Sequence, residues 1–504
     1  MSSRVIRGEA REVLMGMPEA SVDMCMTSPP YWGLRKYSGE PQIWDSVDGC
    51  NHEWGEYDVS LLHENRDGLT GSTIGNTARR EGKHGLEVGS AGFCLKCGAW
   101  RGQLGLEPDP DSYISHLMLI FDEVWRVLKP TSSLFVNLAD SYSGSGSGGG
   151  GNQKGNESGD VWFDNRPTTN LRGIPAKSLI GIPARFQLAM IERGWVNRNF
   201  LAWYKRSCMP SSARDRFTMD WEPIFFFTKQ QDYYFETQFE PHVAGIHPRG
   251  GQKKGITTDF KDSSQAAKKG GWNELPTTAN PQGRLKRCVW DISTEPMSIQ
   301  CCAKCYHVYD KKRYERLLLR EIDNPDKKSK EKKIKVKICS ECDANDWVSH
   351  YAAYPTELCR TPILATCPEF ICDKCNQPRR KMYEVIGHEV TEAMKIAGCR
   401  ENGTYAGQDL SDYKSGMAQS PSDSKRRILK SMSEIKDFHY STCSCPEPRT
   451  YHPGVVLDCF SGTGSTGVMA KLLGRDFVGI DTSEAYVAMS NYRLLSTAVQ
   501  GKLE

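Results

Sequence analysis

The sequence has no apolar run long enough to cross a bilayer, and Met1–Pro18 lacks the apolar core and small-residue cleavage site of a signal peptide. These absences argue against a membrane or secreted protein and predict a cytoplasmic one. A net charge of only +3 over 504 residues does not by itself indicate a nucleic-acid partner. In a reducing compartment, the 19 cysteines are expected to be metal ligands or buried thiols rather than disulfides.

A glycine-rich turn near the C-terminal end follows a short apolar run, Val455–Leu457, which predicts a buried strand. The turn, Gly462–Gly467 (GxGxxG), is followed by a helix pattern, a second strand at Phe477–Ile480 and then Asp481. Glycines permit close backbone approach to a ligand, and an acid at this distance can accept hydrogen bonds from ribose hydroxyls. The pattern predicts an adenosine-containing ligand, and alone it fits a dinucleotide and S-adenosylmethionine equally well.

A second motif, Thr27–Tyr31 (TSPPY), lies at the end of a predicted strand, Val22–Met26. Two consecutive prolines fix the backbone and remove two N–H donors, so that the carbonyl groups and the serine hydroxyl can face one target. An exocyclic amine of a base suits these acceptors, because hydrogen bonds from its N–H groups free its lone pair. The tyrosine can stack on a base flipped from the duplex. The alternative interpretation is a rigid turn after a strand. The candidate catalytic residues are Ser28, Pro29, Pro30 and Tyr31.

Together with their flanks, the two motifs resemble the β-group amino DNA methyltransferases, in which the catalytic motif comes first and the cofactor motif last. Asp458–Gly462 (DCFSG) matches the family's acid, aromatic and glycine pattern, with Cys459 in place of the usual proline. The resemblance implies S-adenosylmethionine as the cofactor and duplex DNA as the partner, with a cognate restriction endonuclease as a further candidate partner. The residues that it implies for cofactor binding are Glu9, Tyr354, Pro355, Asp458, Phe460, Ser461, Gly462, Gly464 and Asp481.

The choice of target base is narrowed by the absence of a Pro-Cys dipeptide and by the residue at position 28. Methylation of a ring carbon needs a nucleophilic cysteine, usually in a Pro-Cys pair, and no such dipeptide occurs. Within the resembling family, Ser28 in place of Asp or Asn favours cytosine N4, with adenine N6 as the alternative. Two other classes of protein explain fewer of these sequence features. A nicotinamide oxidoreductase explains the glycine turn and Asp481 only, and a non-catalytic zinc protein that binds DNA explains the cysteines and lysines only.

Strand patterns alternate with helix patterns between the two motifs, as in the predicted helix Asp111–Leu128 and the following strand Ser133–Leu138. We therefore expect an α/β fold: a circularly permuted Rossmann-like methyltransferase sheet, mostly parallel, with an antiparallel edge hairpin and three small zinc-binding insertions. The expected domains are 1–44 (catalytic half), 45–102 (first zinc insertion), 103–235 (methyltransferase domain, with a mobile Gly/Ser loop at 141–159), 236–349 (target recognition, with a zinc ribbon at 301–342), 350–366 (cofactor-side helix), 367–446 (third zinc insertion) and 447–504 (cofactor-binding half).

Each insertion carries two pairs of metal-ligand residues, and two pairs on tight turns can close a tetrahedral zinc site. Four protein ligands leave no open coordination position, so the metals are expected to be structural. The alternatives are free thiols, fewer sites that share ligands, or Cys301 in place of Cys302. The second insertion also holds a lysine-rich run, 311–337, which suits DNA phosphates or simply a solvated face. The predicted ligand sets are Cys50, His52, Cys94 and Cys97; Cys302, Cys305, Cys339 and Cys342; and Cys372, Cys375, Cys443 and Cys445.

Overall fold

The computed structural model describes residues 3–34, 40–55, 92–143, 173–208, 211, 213–241, 284–295, 299–310, 318–323, 333–349, 354–384 and 437–497. The chain divides into two compact units. The first unit comprises residues 1–235, 288–378 and 450–504, and the second comprises 236–287 and 379–449. Within the described ranges, no helix combines the length and the apolar character needed to cross a membrane.

Eight strands of the first unit form one sheet. In space they follow the order β1, β8, β7, β2, β3, β5, β4, β6. All neighbours pair in parallel except β5, which runs antiparallel to both β3 and β4. The strands are β1 (Arg4–Arg7), β2 (Val22–Thr27), β3 (Leu128–Asn137), β4 (Val196–Tyr204), β5 (Trp221–Thr228), β6 (Val289–Asp291), β7 (Val455–Asp458) and β8 (Asp476–Asp481).

Helices cover both faces of this sheet, because its buried strands alternate their side chains between two apolar clusters. One cluster holds Leu134 and Val136 with α1, α2 and α3, and the other holds Phe135 with α4 and α5. The helices are α1 (Ala10–Met15), α2 (Pro110–Val127), α3 (Ile182–Glu192), a 3₁₀ helix (Thr356–Cys359), α4 (Arg360–Thr366), α5 (Ser465–Leu472) and α6 (Glu484–Ser496).

Local sequence explains the longest helix. Asp109 caps α2, and its carboxylate accepts hydrogen bonds from the backbone N–H of Asp111 at 3.0 Å and Ser112 at 2.8 Å. Pro110 occupies the first helical position, where no backbone hydrogen bond is lost. The apolar stripe that begins at Tyr113 is buried against the sheet.

The predicted fold class is confirmed, with one refinement. The antiparallel hairpin of β4 and β5 does not end the sheet, because the short strand β6 pairs in parallel with β4 outside it. Trp290 of β6 is buried there, and the indole of Trp203 donates to the Ile292 carbonyl at 2.8 Å. Several predicted features fall outside the described residues, namely 144–159 of the Gly/Ser loop and most of the lysine-rich run.

Short strands build the parts outside the main sheet. In the first unit, one insertion pairs Gln42–Trp44 and Gly92–Phe93 with Trp100–Gly102. The next pairs Ile299–Cys302 with Val308–Asp310 and Trp347–Val348, and Leu318–Asp323 with Lys333–Ile338. Ile371–Cys372 pairs with Tyr451–His452. The second unit pairs Phe239–Glu240 with Arg284–Leu285, and Lys381–Glu384 with Asp437–Tyr440.

Candidate active site and metal sites

The two sequence motifs meet at the carboxyl ends of neighbouring strands, β2 and β7. Thr27, at the end of β2, donates its hydroxyl proton to Asp458 Oδ1 at the end of β7, over 2.7 Å. The backbone N–H of Phe460 lies 3.2 Å from Thr27 Oγ1 and 3.1 Å from Asp458 Oδ1. A buried hydrogen-bond bridge therefore joins the predicted catalytic loop directly to the predicted cofactor turn.

Asp458 organises this junction from inside the protein. Its second carboxylate oxygen accepts hydrogen bonds from Tyr354 Oη at 2.9 Å and Thr466 Oγ1 at 2.7 Å. Burial raises the pKa of Asp458, and these hydrogen bonds oppose that shift by stabilising the charged form. With both oxygens engaged by the protein, the carboxylate acts as an anchor for the surrounding segments.

The glycine turn is fixed by Asp481, at the end of β8. Asp481 Oδ2 accepts from the backbone N–H of Gly462, and Oδ1 from that of Ser483, each at 2.8 Å. Burial raises the pKa of Asp481 to about 7. Gly464 has a φ of +77°, and a Cβ there would lie 2.1 Å from Ser490 Oγ, so no larger residue fits between the turn and α6.

Glu9 lies beside this turn, because β1 pairs with β8. The backbone N–H of Gly8 donates to the Asp481 carbonyl at 3.0 Å. Glu9 caps α1, with its Oε2 accepting from the N–H of Glu12 at 2.8 Å, and burial raises its pKa. One carboxylate oxygen is used by this cap, and the acidic contact to adenosine stays a prediction.

A cavity of about 1180 Å³ opens over these strand ends. Of the described residues, Pro355, Asp458 and Gly464 are predicted site residues that do not line it. Pro355 is buried and is the N-cap of the 3₁₀ helix, with its carbonyl accepting from Leu358 N at 3.0 Å. The predicted site residues that do line the cavity are Glu9, Ser28, Pro29, Pro30, Tyr31, Tyr354, Phe460, Ser461, Gly462 and Asp481.

The catalytic motif carries a polar network that sequence reasoning missed. Tyr31 Oη lies 2.9 Å from both Asn137 Oδ1 and Glu222 Oε2, and 3.5 Å from Ser28 Oγ. Glu222 also pairs with Lys205. Asn137 belongs to β3 and Glu222 to β5, so two strands hold the hydroxyl end of Tyr31, which also lines the cavity.

One signal in the sequence could have indicated the three residues of this network that lie outside the catalytic motif. Asn137 ends the apolar strand β3, Lys205 directly follows β4, and Glu222 stands at the start of β5. Because β5 is antiparallel to its neighbours, its start lies at the edge where the parallel strands end. Polar residues at strand ends on one edge of a sheet are typical of α/β active sites.

The loop before β5 carries charged side chains and one exposed aromatic ring. The guanidinium of Arg216 lies 3.6 Å from the centre of the Tyr142 ring, and Asp215 pairs with Lys177 at 2.6 Å. Phe217 follows, with 96% of its side chain exposed. Tyr142 and Met219 line the cavity, so the loop that carries Phe217 borders it.

Two of the predicted metal-ligand sets are assembled. In each, the ligand atoms lie within 4.8 Å of one another. Sulfur separations are 3.9 Å for Cys50–Cys94, 3.6 Å for Cys302–Cys342 and 3.5 Å for Cys305–Cys339. Zinc–sulfur bonds of about 2.3 Å in a tetrahedron place the sulfurs about 3.8 Å apart. The spacing therefore fits zinc, and it is far too long for disulfides.

The backbone of the Cys-x-x-Cys turns supports the same interpretation. Each turn returns an N–H to the carbonyl of its first cysteine, at 2.9–3.0 Å. The residue that makes this bond has a positive φ in every case: Gly98, Tyr306, Asp343 and Asn376. Three of these are not glycine, and such backbone strain commonly accompanies a functional site.

The third set is divided between the two units. The turn of Cys372 and Cys375 belongs to the first unit, whereas Cys443 and Cys445 belong to the second. This set stays a prediction from the sequence. Elsewhere in the first unit, Cys25, Cys359 and Cys459 are buried thiols, and desolvation raises the pKa values of Cys25 and Cys359.

The fold and the site define an α/β protein with a permuted sheet and a glycine-rich turn beside a Ser-Pro-Pro-Tyr loop. A model of the N6/N4 family, described as DNA methylase, matches residues 22–376 and 397–492. The match covers both motifs and most of the chain. The chain therefore belongs to the N6/N4 amino DNA methylase family, and the resemblance drawn from the motifs is confirmed.

Curated relatives include type II methyltransferases. M.SmaI of Serratia marcescens is 29% identical over 235 residues, which are 47% of this chain and 59% of that protein. M.Cfr9I of Citrobacter freundii is 29% identical over 294 residues, 58% of this chain and 65% of its own length. The chain thus spans less than two thirds of these relatives. Among solved structures, the PvuII DNA methyltransferase (cytosine-N4-specific) aligns with 99% of this chain and 89% of its own, at 13% identity and a TM-score of 0.40.

Proposed function

We propose that this protein transfers a methyl group from S-adenosylmethionine to the exocyclic N4 amine of a cytosine flipped from duplex DNA. The observation that carries the proposal is the hydrogen bond between Thr27 and Asp458, which holds the amine-binding loop and the adenosine-type turn over one cavity. Family membership supports methyl transfer to DNA. The nicotinamide oxidoreductase alternative gains no support from the family match.

The cavity fits the cofactor chemically. Asp481 lines the cavity, and each of its oxygens has a second lone pair for a ribose hydroxyl besides the backbone N–H that it already accepts. The turn at Gly462 allows close backbone approach. Glu9 and Phe460 line the same end, and Tyr354 lines the wall beside Asp458. When bound there, S-adenosylmethionine would supply an electrophilic methyl group on a sulfonium.

The catalytic loop would hold the amine for attack. Ser28 Oγ and the Pro29 carbonyl are the acceptors that would take its two N–H bonds and turn its lone pair out of conjugation with the ring. Positioning of this kind is worth several orders of magnitude in rate. Because Tyr31 is tethered at its hydroxyl, its ring has a fixed plane on which a flipped base can stack.

The network behind Tyr31 offers a route for the proton that the methylated amine must lose. Ser28 Oγ lies 3.5 Å from Tyr31 Oη, which lies 2.9 Å from Glu222 Oε2. Ser28 would take the amine proton and pass its own through Tyr31 to the carboxylate. Lys205, paired with Glu222, would keep that carboxylate in place.

The preference for cytosine N4 rests on Ser28, since the resembling family more often has Asp or Asn before Pro-Pro-Tyr in adenine enzymes. Adenine N6 is the second candidate, because a hydroxyl and a carboxylate both accept from an amine. Arg214 and Arg216, in the loop that borders the cavity, suit DNA phosphates, and Phe217 suits base stacking. The curated relatives are type II methyltransferases, which supports a cognate restriction endonuclease as partner.

The zinc sites would be structural. The sets at Cys50 and Cys302 each supply four protein ligands, so neither leaves a coordination position for a substrate. Their small strands have little apolar core of their own, so bound metal would contribute much of their folding free energy.

The test is a methylation assay on mixed-sequence duplex DNA with labelled S-adenosylmethionine, followed by nucleoside mass spectrometry. N4-methylcytosine is the expected product. N6-methyladenine would keep the mechanism and overturn the choice of base. No labelled product from zinc-loaded protein that binds the cofactor would refute the proposed reaction.

A further inference from the structure

A buried acid and histidine connect the first zinc insertion to the catalytic loop, Ser28–Leu34. Glu107 and His116 are 0% and 1% exposed. His116 Nδ1 lies 3.1 Å from Glu107 Oε1, and His116 Nε2 lies 3.0 Å from Asp45 Oδ2. Both ring nitrogens are therefore bonded, and the orientation of the imidazole is fixed on two sides.

Two indoles of the insertion stack on this imidazole. The His116 ring stacks on Trp44, with centroids 4.5 Å apart, and on Trp100, with centroids 5.6 Å apart. Both tryptophans belong to paired strands of the insertion, and they oppose each other in that pairing. The Ala99 carbonyl, next to Trp100, accepts from the N–H of the metal ligand Cys94 at 2.7 Å. The position of the imidazole is thus set by the strands that flank the zinc ligands.

Glu107 carries the connection on to the catalytic loop. Its Oε2 accepts from the backbone N–H of Gly105 at 2.7 Å, and the Gly105 carbonyl accepts from the N–H of Gly33 at 2.8 Å. The Glu107 carbonyl also accepts from the indole of Trp32 at 3.0 Å. Gly105 has a φ of +89°, and a Cβ there would lie 3.2 Å from Pro30. The turn at Gly105 therefore packs directly against the catalytic loop.

We propose that the first zinc site positions the catalytic loop, and that His116 and Glu107 are the positioning residues through which it acts. Neither residue is among the described residues that line the cavity, so they act on the reaction through the loop. The inference rests on the proposed function for its effect on methyl transfer. The structural part of the inference, that this network holds the backbone N–H of Gly33, does not depend on the proposed function.

The second zinc site provides a matched control, because it supports a different part of the active site. Ile299 and Cys301, beside the ligand Cys302, pack against Ala485 and Met489 of α6. That helix begins three residues after Asp481. Loss of the second zinc is therefore expected to weaken cofactor binding, whereas loss of the first is expected to slow methyl transfer.

The experiment compares Cys97→Ser with Cys305→Ser in the full chain, with zinc content measured by mass spectrometry. For Cys97→Ser we expect the amide of Gly33 to exchange hydrogen about tenfold faster or more, since its acceptor is freed. We expect single-turnover methyl transfer to slow about tenfold or more, with the cofactor Kd within about twofold. Cys305→Ser should show the reverse, a weaker cofactor Kd with Gly33 exchange unchanged. Unchanged Gly33 exchange after loss of the first zinc would overturn the proposal.

Point variants keep the test decisive if Cys97→Ser does not fold. His116→Gln and Glu107→Gln should each speed Gly33 exchange and lower kcat without raising the KM for the cofactor. Because both act along one path, the double variant should lose about as much rate as the worse single variant, not the product of the two. Multiplicative losses would refute a shared path. If the wild type methylates no DNA, the proposed function fails, and the exchange data still decide the positioning role.

Discussion

The affinity for the cofactor is expected to fall as the pH drops below about 7, because Asp481 must be ionised to accept ribose hydroxyls. Burial raises the pKa of this carboxyl from an ordinary 3.8 to about 7, against the opposing hydrogen bonds from the N–H groups of Ser483 and Gly462. In the cofactor-free protein, the raised pKa means that Asp481 favours folding when protonated. That contribution is fully present below pH 3.8 and is lost as the pH rises through 7.

The magnitude follows from the ionised fraction. With a pKa of about 7, about 90% of Asp481 is ionised at pH 8 and about 9% at pH 6, and the apparent Kd scales inversely with that fraction. We therefore expect the cofactor Kd to rise about tenfold from pH 8 to pH 6. A further drop to pH 5 should add almost another factor of about ten.

Isothermal titration calorimetry with S-adenosylmethionine across this pH range measures the effect. Asp481→Asn should bind more weakly at pH 8 and lose the pH dependence. Glu9 is the necessary control, since burial also raises its pKa and it lines the same cavity. Glu9→Gln should retain the slope. A wild-type Kd that stays within about twofold between pH 8 and 6, or an equal slope in Asp481→Asn, would refute the reasoning.

Four further outcomes are expected. Thr27→Val removes a buried hydrogen bond to the Asp458 carboxylate and should lower the unfolding free energy by about 1.5–3 kcal/mol in urea denaturation, whereas Thr27→Ser should lose far less. Ser28→Ala should slow single-turnover methyl transfer by about 10²-fold with the cofactor Kd unchanged; an unchanged rate would remove Ser28 from catalysis. Phe217→Ala should weaken duplex binding by about tenfold and Phe217→Trp should preserve it, as read by fluorescence anisotropy; equal binding by both would argue against stacking. Prolonged chelation should release at least two zinc equivalents per chain and lower the Tm, and a zinc-free wild type with the same Tm would contradict structural metal.

Periodicity was enough to predict the elements of the sheet that carry the site. The buried strand β2, the helix α2 and the strand–turn–helix around Gly462 lie within a few residues of their predicted bounds. Their patterns are local: an apolar run, a helical stripe and a glycine turn. Because parallel strands end at one edge of a sheet, Ser28 and Asp481 both line one cavity.

Contacts between distant segments were not predictable in this way. The sequence contains Asn137 and Glu222, but only the antiparallel pairing of β3 with β5 brings both to the hydroxyl of Tyr31. In the same way, nothing local to His116 shows that two tryptophans of an insertion will stack on it. A lone polar residue in a helical stripe looks like an ordinary half-buried position until its partners are known.

The permuted order explains why long insertions are compatible with this active site. Strands β7 and β8, from the end of the chain, insert between β1 and β2, from its start, so the bridge from Thr27 to Asp458 spans 431 residues of sequence. Each insertion leaves and re-enters between elements of the main sheet, and the closure entropy of a long connection grows only slowly with its length. Zinc bound at the two ligand sets of the first unit would fasten their insertions beside Trp100 and beside Cys301. Length added between these anchor points therefore need not displace the catalytic loop or the cofactor helix, because the anchors, rather than the length of the connections, determine where each insertion meets the sheet.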